Sequence, residues 1–543
     1  MADATWRRGV SDVIGRWWAA GVVFSAALAV YLASAAPGLT WAHDSADGGE
    51  LIAAVAVRGV PHPPGYPTYL LLAQPFVALP LGNLAQRGAL FSAVAGAAAA
   101  ALLAAALRQA PPDHWQAGLG PGRERRADAA SPSSLPALAA GLALAFSPPL
   151  WSQATVVEVY ALHAALAAGL IWALSRWRLT GGLGWLALSG LLFGLALGNH
   201  LTIVWLLPML GVWAVGGAAG WPRRRLWLAG GGGLALGLSV YLYLPLAAAA
   251  RPPINWGDPR SWEGFRWLVT AELYRPNAFA LPADQVLPRL TAAAAGLWQG
   301  LLPWGALLAA AGLAGLAHRQ PALAAAGALS ALLSLAWAIG YNTADSLWSL
   351  LAAWVLVGWW AGLGLAWTWQ RASGRGRVGR WAGIGLCLLV AAAPLALHWP
   401  RQDLRRDRQA EQFIGHILTA AEPDAVVVAA GDRALFSLWY ARYGQGRRPD
   451  LIPLSRDLWG QPGYRSTVGH THPGLAGESP PSEWPALLAH VLPQRPVYLA
   501  STGLEAPTPD ALGLPADARY ALEPLPDPAR PEAPPFLWRL RAP

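Results

Sequence analysis

Residues 43–69 read HDSADGGELIAAVAVRGVPHPPGYPTY and follow directly on the first long apolar segment of the chain. Three carboxylates fall close together in it (Asp44, Asp47 and Glu50), Arg58 comes next, and His62 sits inside a proline-stiffened turn. Outward from this stretch the chain is a succession of apolar segments. Their polar interruptions can all face one side of a membrane.

Composition supports that setting. The 543 residues are 55% hydrophobic and only 13% charged, about half the ~25% charge of an average soluble domain. Long charge-free runs place the chain in the polytopic membrane class. The net charge of +9 is carried entirely by arginine. No basic patch interleaved with aromatics accompanies it, which argues against a nucleic-acid partner. The single cysteine, Cys387, lies in an apolar run, so neither an intramolecular disulfide nor a cysteine metal site can form. Arg7, Arg8 and Arg16 precede an apolar run too long for a signal-peptide core, so it reads as an uncleaved first span behind a cytoplasmic segment, 1–16.

A bilayer core takes about 20 apolar residues per helix. Eleven spans are expected, at 17–36, 88–108, 134–148, 155–175, 182–198, 201–218, 226–248, 294–317, 321–340, 347–370 and 381–399. Arginine placement tests the count. With the N-terminus inside, the inner loops carry Arg108, Arg123, Arg125 and Arg126, then Arg176 and Arg178, then Arg223 to Arg225, then Arg319, then Arg371, Arg375, Arg377 and Arg380, as the positive-inside rule requires. A further apolar piece, 65–82, would invert that pattern if it crossed, so it is expected to lie in the outer interface or to dip in and return. Pro75 and Pro80 suit a broken helix there.

The polar interruptions then collect outside: 37–87, Pro148–Gln153, Asn199–His200, Arg251–Gln285, Tyr341–Asp345 and everything after Pro400. From about 401 to 543 the composition becomes that of a soluble domain. A helix is expected at 408–421, strands at 425–430 and 451–454 around a helix at 433–443, and further strands at 496–500 and 536–540. Strand, helix, strand at this spacing suggests a small α/β unit.

Asp47 and Glu50 have a structural reading, an N-cap and its capping-box partner before an apolar run. Their functional reading is a general base at the membrane surface. Asp44 competes for that role; on a continuous helix the three acids would share a face that could also hold a divalent cation, although Gly48-Gly49 argues against continuity. The turn Pro61–Pro67 is either a rigid corner or a device presenting His62 and Tyr66 to the acids. Glu158, about one turn inside the fourth expected span, would cost on the order of 2.5–3.5 kcal/mol at mid-bilayer and less near the interface. It is a functional candidate against the alternative of a hydrogen bond between helices. His163, deeper in the same span, reads as packing. Asn199-His200 ends a span at the outer surface. Arg251, Asp258, Arg266, Glu272, Tyr274 and Arg275 populate a large outer loop that needs no explanation beyond solvation, yet supplies cations a phosphate would want. Asp345 completes the outer set. Asp432, at a strand end, is either a binding residue or a helix N-cap, and the cap is the favoured reading.

Taken in order, Asp47-Gly48-Gly49-Glu50 and His62-Pro63-Pro64-Gly65-Tyr66-Pro67 resemble the opening signature of a polytopic family long catalogued as a domain of unknown function, the protein O-mannosyltransferase-like GT-C glycosyltransferases. That family includes the animal enzyme acting on plexin-type IPT domains. Trp151-Ser152-Gln153 through Glu158-Val159-Tyr160, Gly198-Asn199-His200, Tyr243-Leu244-Pro245-Leu246, Asn255-Trp256-Gly257-Asp258-Pro259 and Tyr341-Asn342 with Asp345 fit the same pattern. The family's usual Asp-Ser-Gly-Glu appears here with Gly48, and Asp44 is an extra acid upstream.

The resemblance implies a mainly α, GT-C-like membrane fold (17–400, with a catalytic first outer loop at 37–87) and a small extracytoplasmic α/β domain (401–543). It implies a bacterial plasma-membrane enzyme transferring a sugar, expected to be mannose, from a polyprenyl-phosphate donor to a hydroxyl on a protein or glycan, with inversion. In that scheme Asp47 is the base, with Glu50 and Asp44 beside it. Arg58, His62, Tyr66, Arg87, Glu158, Tyr160, Asn199, His200, Arg251, Asp258 and Asp345 bind substrates. No cofactor is assigned; a divalent cation is the one group the acids could take. The competing class is a transporter or flippase of lipid-linked sugars. The acids cluster in an outer loop rather than on broken helices of two related halves, which argues against it. A non-catalytic receptor using 400–543 is the third.

Overall fold

The computed structural model describes residues 2–109, 134–218, 220–503, 512, 520–530 and 532–541. Arg123, Arg125 and Arg126 lie outside them. The first helix, α1 (Ala2–Ser34), leads through a loop to α2 (Gly48–Val57), α3 (Pro67–Val77) and the alanine-rich α4 (Leu84–Gln109). Alanine combines high helix propensity with a slim surface, so α4 lies tightly against its neighbours; a Cβ on its Gly96 would sit 2.7 Å from the Ala154 methyl. Next come α5 (Ser134–Ala145), α6 (Pro148–Ala154), α7 (Tyr160–Thr180), α8 (Leu183–Leu197) and α9 (Leu207–Gly216). The bundle continues with α10 (Arg223–Leu238), α11 (Tyr243–Ala249), α12 (Trp262–Val269), α13 (Ala283–Arg319), α14 (Pro321–Gly340), α15 (Leu351–Ser373) and α16 (Gly376–Gln402).

The span count departs from expectation. Among the described residues seven helices are long and apolar enough to cross a membrane, or eight if α5 and α6, bent by 63° at their junction, form one span. Three of the eleven expected spans fall short. Helix α7 is 21 residues long, but His163, Arg176 and Arg178 dilute its apolar run. Helix α8 has 15 residues, and the sixth span begins as a 3-10 turn (Leu201–Leu206) before α9. Small residues compensate by close packing: Gly194 of α8 and Gly237 of α10 oppose each other, and Gly190 and Gly233 each meet the backbone of the other helix, leaving no room for a Cβ. That is the small-xxx-small mode of helix association in lipid. Gly312 of α13 and Gly364 of α15 repeat it. As expected, 65–82 is no span: α3 has 11 residues, about 16 Å of helix against a ~30 Å core.

After α16 the chain forms α17 (Gln409–Ala420), β1 (Val426–Ala430), α18 (Asp432–Trp439) and β2 (Ile452–Ser455). It ends with α19 (Arg456–Trp459), α20 (Pro462–Thr471), α21 (Pro473–Ala476), α22 (Trp484–Val491), β3 (Val497–Ser501), β4 (Ala521–Leu525) and β5 (Leu537–Arg541). The sheet order is β2-β1-β3-β5-β4; β1 runs parallel to β2 and β3, while β5 is antiparallel to β3 and β4. The buried β1, Val-Val-Val-Ala-Ala, is an interior strand between β2 and β3, as a continuous apolar run with covered faces should be.

This C-terminal unit sits directly on α2. A Cβ on Gly49 would lie 2.5 Å from the Phe436 carbonyl oxygen of α18. Trp41 Nε1 donates to Ser437 Oγ (3.1 Å), and the Leu39 amide donates to Glu411 Oε1 (3.0 Å).

Candidate active site

Asp47 occupies the N-cap position of α2, yet its side chain makes no capping hydrogen bond. Glu50 does not close a capping box either. Its fully buried carboxylate accepts from the His62 backbone N–H (3.2 Å) and pairs with His62 Nδ1. The other ring nitrogen, Nε2, lies 3.1 Å from the Tyr66 hydroxyl and 3.4 Å from Asp47 Oδ2. The turn makes this possible: Gly65 takes a φ of +89° and Tyr66 one of +43°, and a Cβ on Gly65 would press on Leu244 and Leu268 at 3.1 Å. His62 is walled by aromatic rings, stacked on Phe436 (6.2 Å) and edge-on to Tyr66, Trp256 and Tyr274.

Burial alone would depress the His62 pKa, but the charges of Glu50 and Asp47 and the hydrogen bond to Glu50 outweigh it and raise it to about 10. The ring is therefore an imidazolium at neutral pH, with both N–H groups donating. Asp47 keeps 31% of its side chain exposed. Desolvation raises its pKa, His62 pulls it down, Asp345 and Glu50 push it up, and it settles at about 6. A carboxylate there is ionised at pH 7 and still basic enough to accept a proton.

Glu158 lies in the break between α6 and α7 rather than a turn inside a span. Burial and the charges of Asp47 and Asp345 hold it well above the usual carboxylate range. Tyr160 donates to Asp345 Oδ2 (2.8 Å). The Asp345 loop is itself pinned by Arg289, which bonds the Thr343 carbonyl (3.0 Å) and Ser346 Oγ. Asn199 Nδ2 donates to the Val159 carbonyl (3.1 Å), and His200 packs on the Tyr160 ring at 5.3 Å. Asp44 is exposed, in a 3-10 turn (Ala42–Asp44) outside α2, and accepts from Trp348 Nε1 (3.1 Å). The three acids of the motif thus do not share one helical face. Among the described residues no group of three or more His, Cys, Asp or Glu is disposed to hold a metal ion.

The arginines are not gathered at Asp47. Arg58 is the left-handed C-cap of α2, about 15 Å along the helix from its start. Arg87 bonds the Val77 and Asn83 carbonyls. Arg251 is exposed and, like Arg260, acts on Asp258. Asp258 is bound to Arg260 and Asn255.

Two parts of the site escaped the sequence reading. Asp432 is the first residue of α18, with Gly431 as its N-cap. Its charge and that of Asp47 act on each other, and burial followed by Asp47 raises its pKa. Phe436, one helical turn on, stacks on His62. The i, i+4 spacing placed both on one face of α18, but nothing in the local sequence said that this face meets α2. Trp256 was visible in the Asn255–Pro259 motif and Tyr274 in the outer loop, with no sign in the sequence that both rings meet His62.

Residues 47–216 match the family model of the Protein O-mannosyl-transferase TMEM260 N-terminal domain, which begins at the carboxylate that heads α2. Over 472 residues the chain is 26% identical to Protein O-mannosyl-transferase TMEM260 of Mus musculus, covering 79% of this chain and 62% of the mouse protein. In fold it resembles ArnT from Cupriavidus metallidurans, both bound to undecaprenyl phosphate (TM-score 0.54) and in the apo state (TM-score 0.55), at 14% identity over 96% of this chain and 97% of that one. The chain is thus a multi-pass integral membrane protein with a fold like that of ArnT, and a distant homologue of the mouse protein whose N-terminal domain model its residues 47–216 match.

Proposed function

We propose that the protein is a glycosyltransferase that moves a sugar, mannose by analogy with its relatives, from a polyprenyl-phosphate donor to an acceptor hydroxyl at the extracytoplasmic face of a bacterial plasma membrane, with its N-terminus cytoplasmic. The observation that carries this reading is the Asp47–His62–Glu50 array: an ionised, partly exposed carboxylate held beside an imidazolium that a buried glutamate keeps charged. The match to an O-mannosyl-transferase family supports the sugar and the reaction class. The likeness to a protein crystallised with undecaprenyl phosphate supports the lipid carrier.

Asp47 takes the proton of the acceptor hydroxyl as its oxygen attacks the anomeric carbon. The new carbon–oxygen bond forms on the face opposite the phosphate, the bond to the phosphate oxygen breaks, and polyprenyl phosphate leaves with the electron pair. Configuration at the carbon is inverted. A phosphate needs no general acid to leave; it needs positive charge or hydrogen bonds. Arg58 and Arg251 lie at the two ends of outer segments joined by the Val60–Asn255 bridge, and we assign them to the phosphate. His62 keeps Asp47 oriented and ionised. Glu158, Tyr160 and Asp345, with Asn199 and His200 behind them, orient the sugar, and Tyr66 fixes His62.

The stereochemistry gives a test. The transferred sugar, examined by NMR in the isolated product, should have the anomeric configuration opposite to that of the donor. Retention would exclude a single displacement with Asp47 as base.

A further inference from the structure

A cavity of about 480 Å³ opens between the outer loop that precedes and includes α12 and the C-terminal unit. Trp256 and Trp267 come from the loop, Trp439 from α18 and Gln461 from the turn before α20, with Asn255 and Glu263 on the rim. The two walls are tied together: Thr467 Oγ1 donates to the Asn255 carbonyl (3.5 Å), and a Cβ on Gly463 would lie 3.4 Å from the Gly257 backbone. Trp256 also connects the cavity to the carboxylate site, because its ring is 6.2 Å from that of His62.

The chemistry of the lining is selective. Asn255 and Trp256 are 7% and 8% exposed, yet Asn255 Oδ1 and Trp256 Nε1 have no hydrogen-bond partner. One needs a donor and the other an acceptor, and buried polar atoms left so are costly. Around them the cavity is lined by the accessible Gln461 amide and the Ser261 and Ser466 hydroxyls, neutral groups that match ligand hydroxyls, each both donor and acceptor. The lining includes the carboxylates of Asp258 and Glu263 and no cation, which disfavours an anionic ligand. The indole walls suit the apolar C–H faces of a pyranose. An extended peptide is less well served, since the backbone at 254–256 is already paired: Val60 N donates to the Ile254 carbonyl (2.8 Å) and Trp256 N to the Val60 carbonyl (3.0 Å). No strand edge is left there for a peptide to join.

We propose that this cleft, built jointly by the outer loop and the C-terminal unit, is the acceptor site and holds a neutral saccharide whose hydroxyl it directs past Trp256 toward Asp47. The acceptor role rests on the transferase reading above; the saccharide site does not. Full-length protein in detergent micelles is titrated with mannotriose, with maltotriose and with a Ser/Thr-rich peptide while tryptophan fluorescence is followed. At least one saccharide should give a saturable change in wild type and in Asp47→Asn. Gln461→Ala and Trp267→Phe should each weaken it about tenfold, the effect of losing one good contact.

Three results overturn the proposal: binding of neither saccharide, binding that both cleft variants leave unchanged, or saturable binding of the peptide alone. Saccharide binding that follows these variants in a protein unable to transfer from any polyprenyl-phosphate sugar would remove the transferase reading and leave the site. Transfer without saccharide binding would remove only the site.

Discussion

Replacing Glu50 and His62 together by glutamine removes the buried ion pair while keeping side chains able to hydrogen-bond. The exchange avoids stranding one buried charge, which costs about 3–5 kcal/mol when a single partner is removed. Its effect falls on Asp47. The imidazolium stands 3.4 Å from Asp47 Oδ2, an attraction of about 5 kcal/mol at an effective dielectric near 20 and about 1 kcal/mol in water. Because 31% of the Asp47 side chain is exposed, the lower half of that range applies, about 2 kcal/mol. Glu50 repels Asp47, so its loss offsets part of the change. At 1.36 kcal/mol per pKa unit, the net is an upward shift of about one unit. Asp47, at about 6 in the native protein, should move to about 7. The acid limb of kcat/KM for transfer, measured between pH 5 and 9, should follow. At pH 6 the ionised fraction falls from about one half to about one eleventh, a loss of about fivefold, and the two profiles should converge above pH 8.5. A limb that stays in place or moves to lower pH would refute the assignment of His62 as the cation that tunes Asp47. An equal loss at every pH would place its role elsewhere.

Asp345→Asn keeps an oxygen for the Tyr160 hydroxyl but deletes a charge that raises the Asp47 pKa; the acid limb should move below about 6, measurable in the same profile. Gly49→Val puts a side chain where the Phe436 carbonyl lies 2.5 Å away, so limited proteolysis should find α18 less protected and transfer should fall about tenfold or more as Phe436 leaves His62. The ion pair also predicts a pH-dependent stability. Because the His62 pKa is raised in the folded state, to about 10 from an unfolded value near 6.5, its contribution is complete below about 6.5 and is lost as pH rises through about 10. The apparent unfolding temperature in detergent should therefore decline between pH 7 and 10, and less so in the Glu50→Gln/His62→Gln protein.

The sequence made the acidic stretch legible because its residues are near one another along the chain. Asp47, Glu50, His62 and Tyr66 fall within 20 residues, and Pro61, Pro63, Pro64 and Gly65 fold the turn back on the helix. What it did not make legible is contact at long range. Asp432 looks like a cap until α18 is laid across Gly49, and Trp256 looks like a loop residue until its ring meets His62. The span count failed for a related reason. Hydropathy along one segment says whether it can sit in lipid, but α8 and α10 meet through opposed glycines, and α7 is sheltered among other helices despite His163 and two arginines. Strand β4 was missed because its sequence, Ala-Leu-Glu-Pro-Leu, is largely exposed at the sheet edge and lacks the buried run that marked β1.

The most direct measurement is transfer of label from radiolabelled polyprenyl-phosphate-mannose by the purified protein, wild type beside Asp47→Asn, with glycan, peptide and lysate acceptors. The account predicts label in a macromolecular or oligosaccharide product with wild type, and a loss of about 10²-fold or more in the variant with its thermal unfolding unchanged. Undiminished transfer by Asp47→Asn would move the base to another carboxylate, and protein-dependent movement of the labelled lipid across a vesicle bilayer without transfer would contradict the enzyme itself.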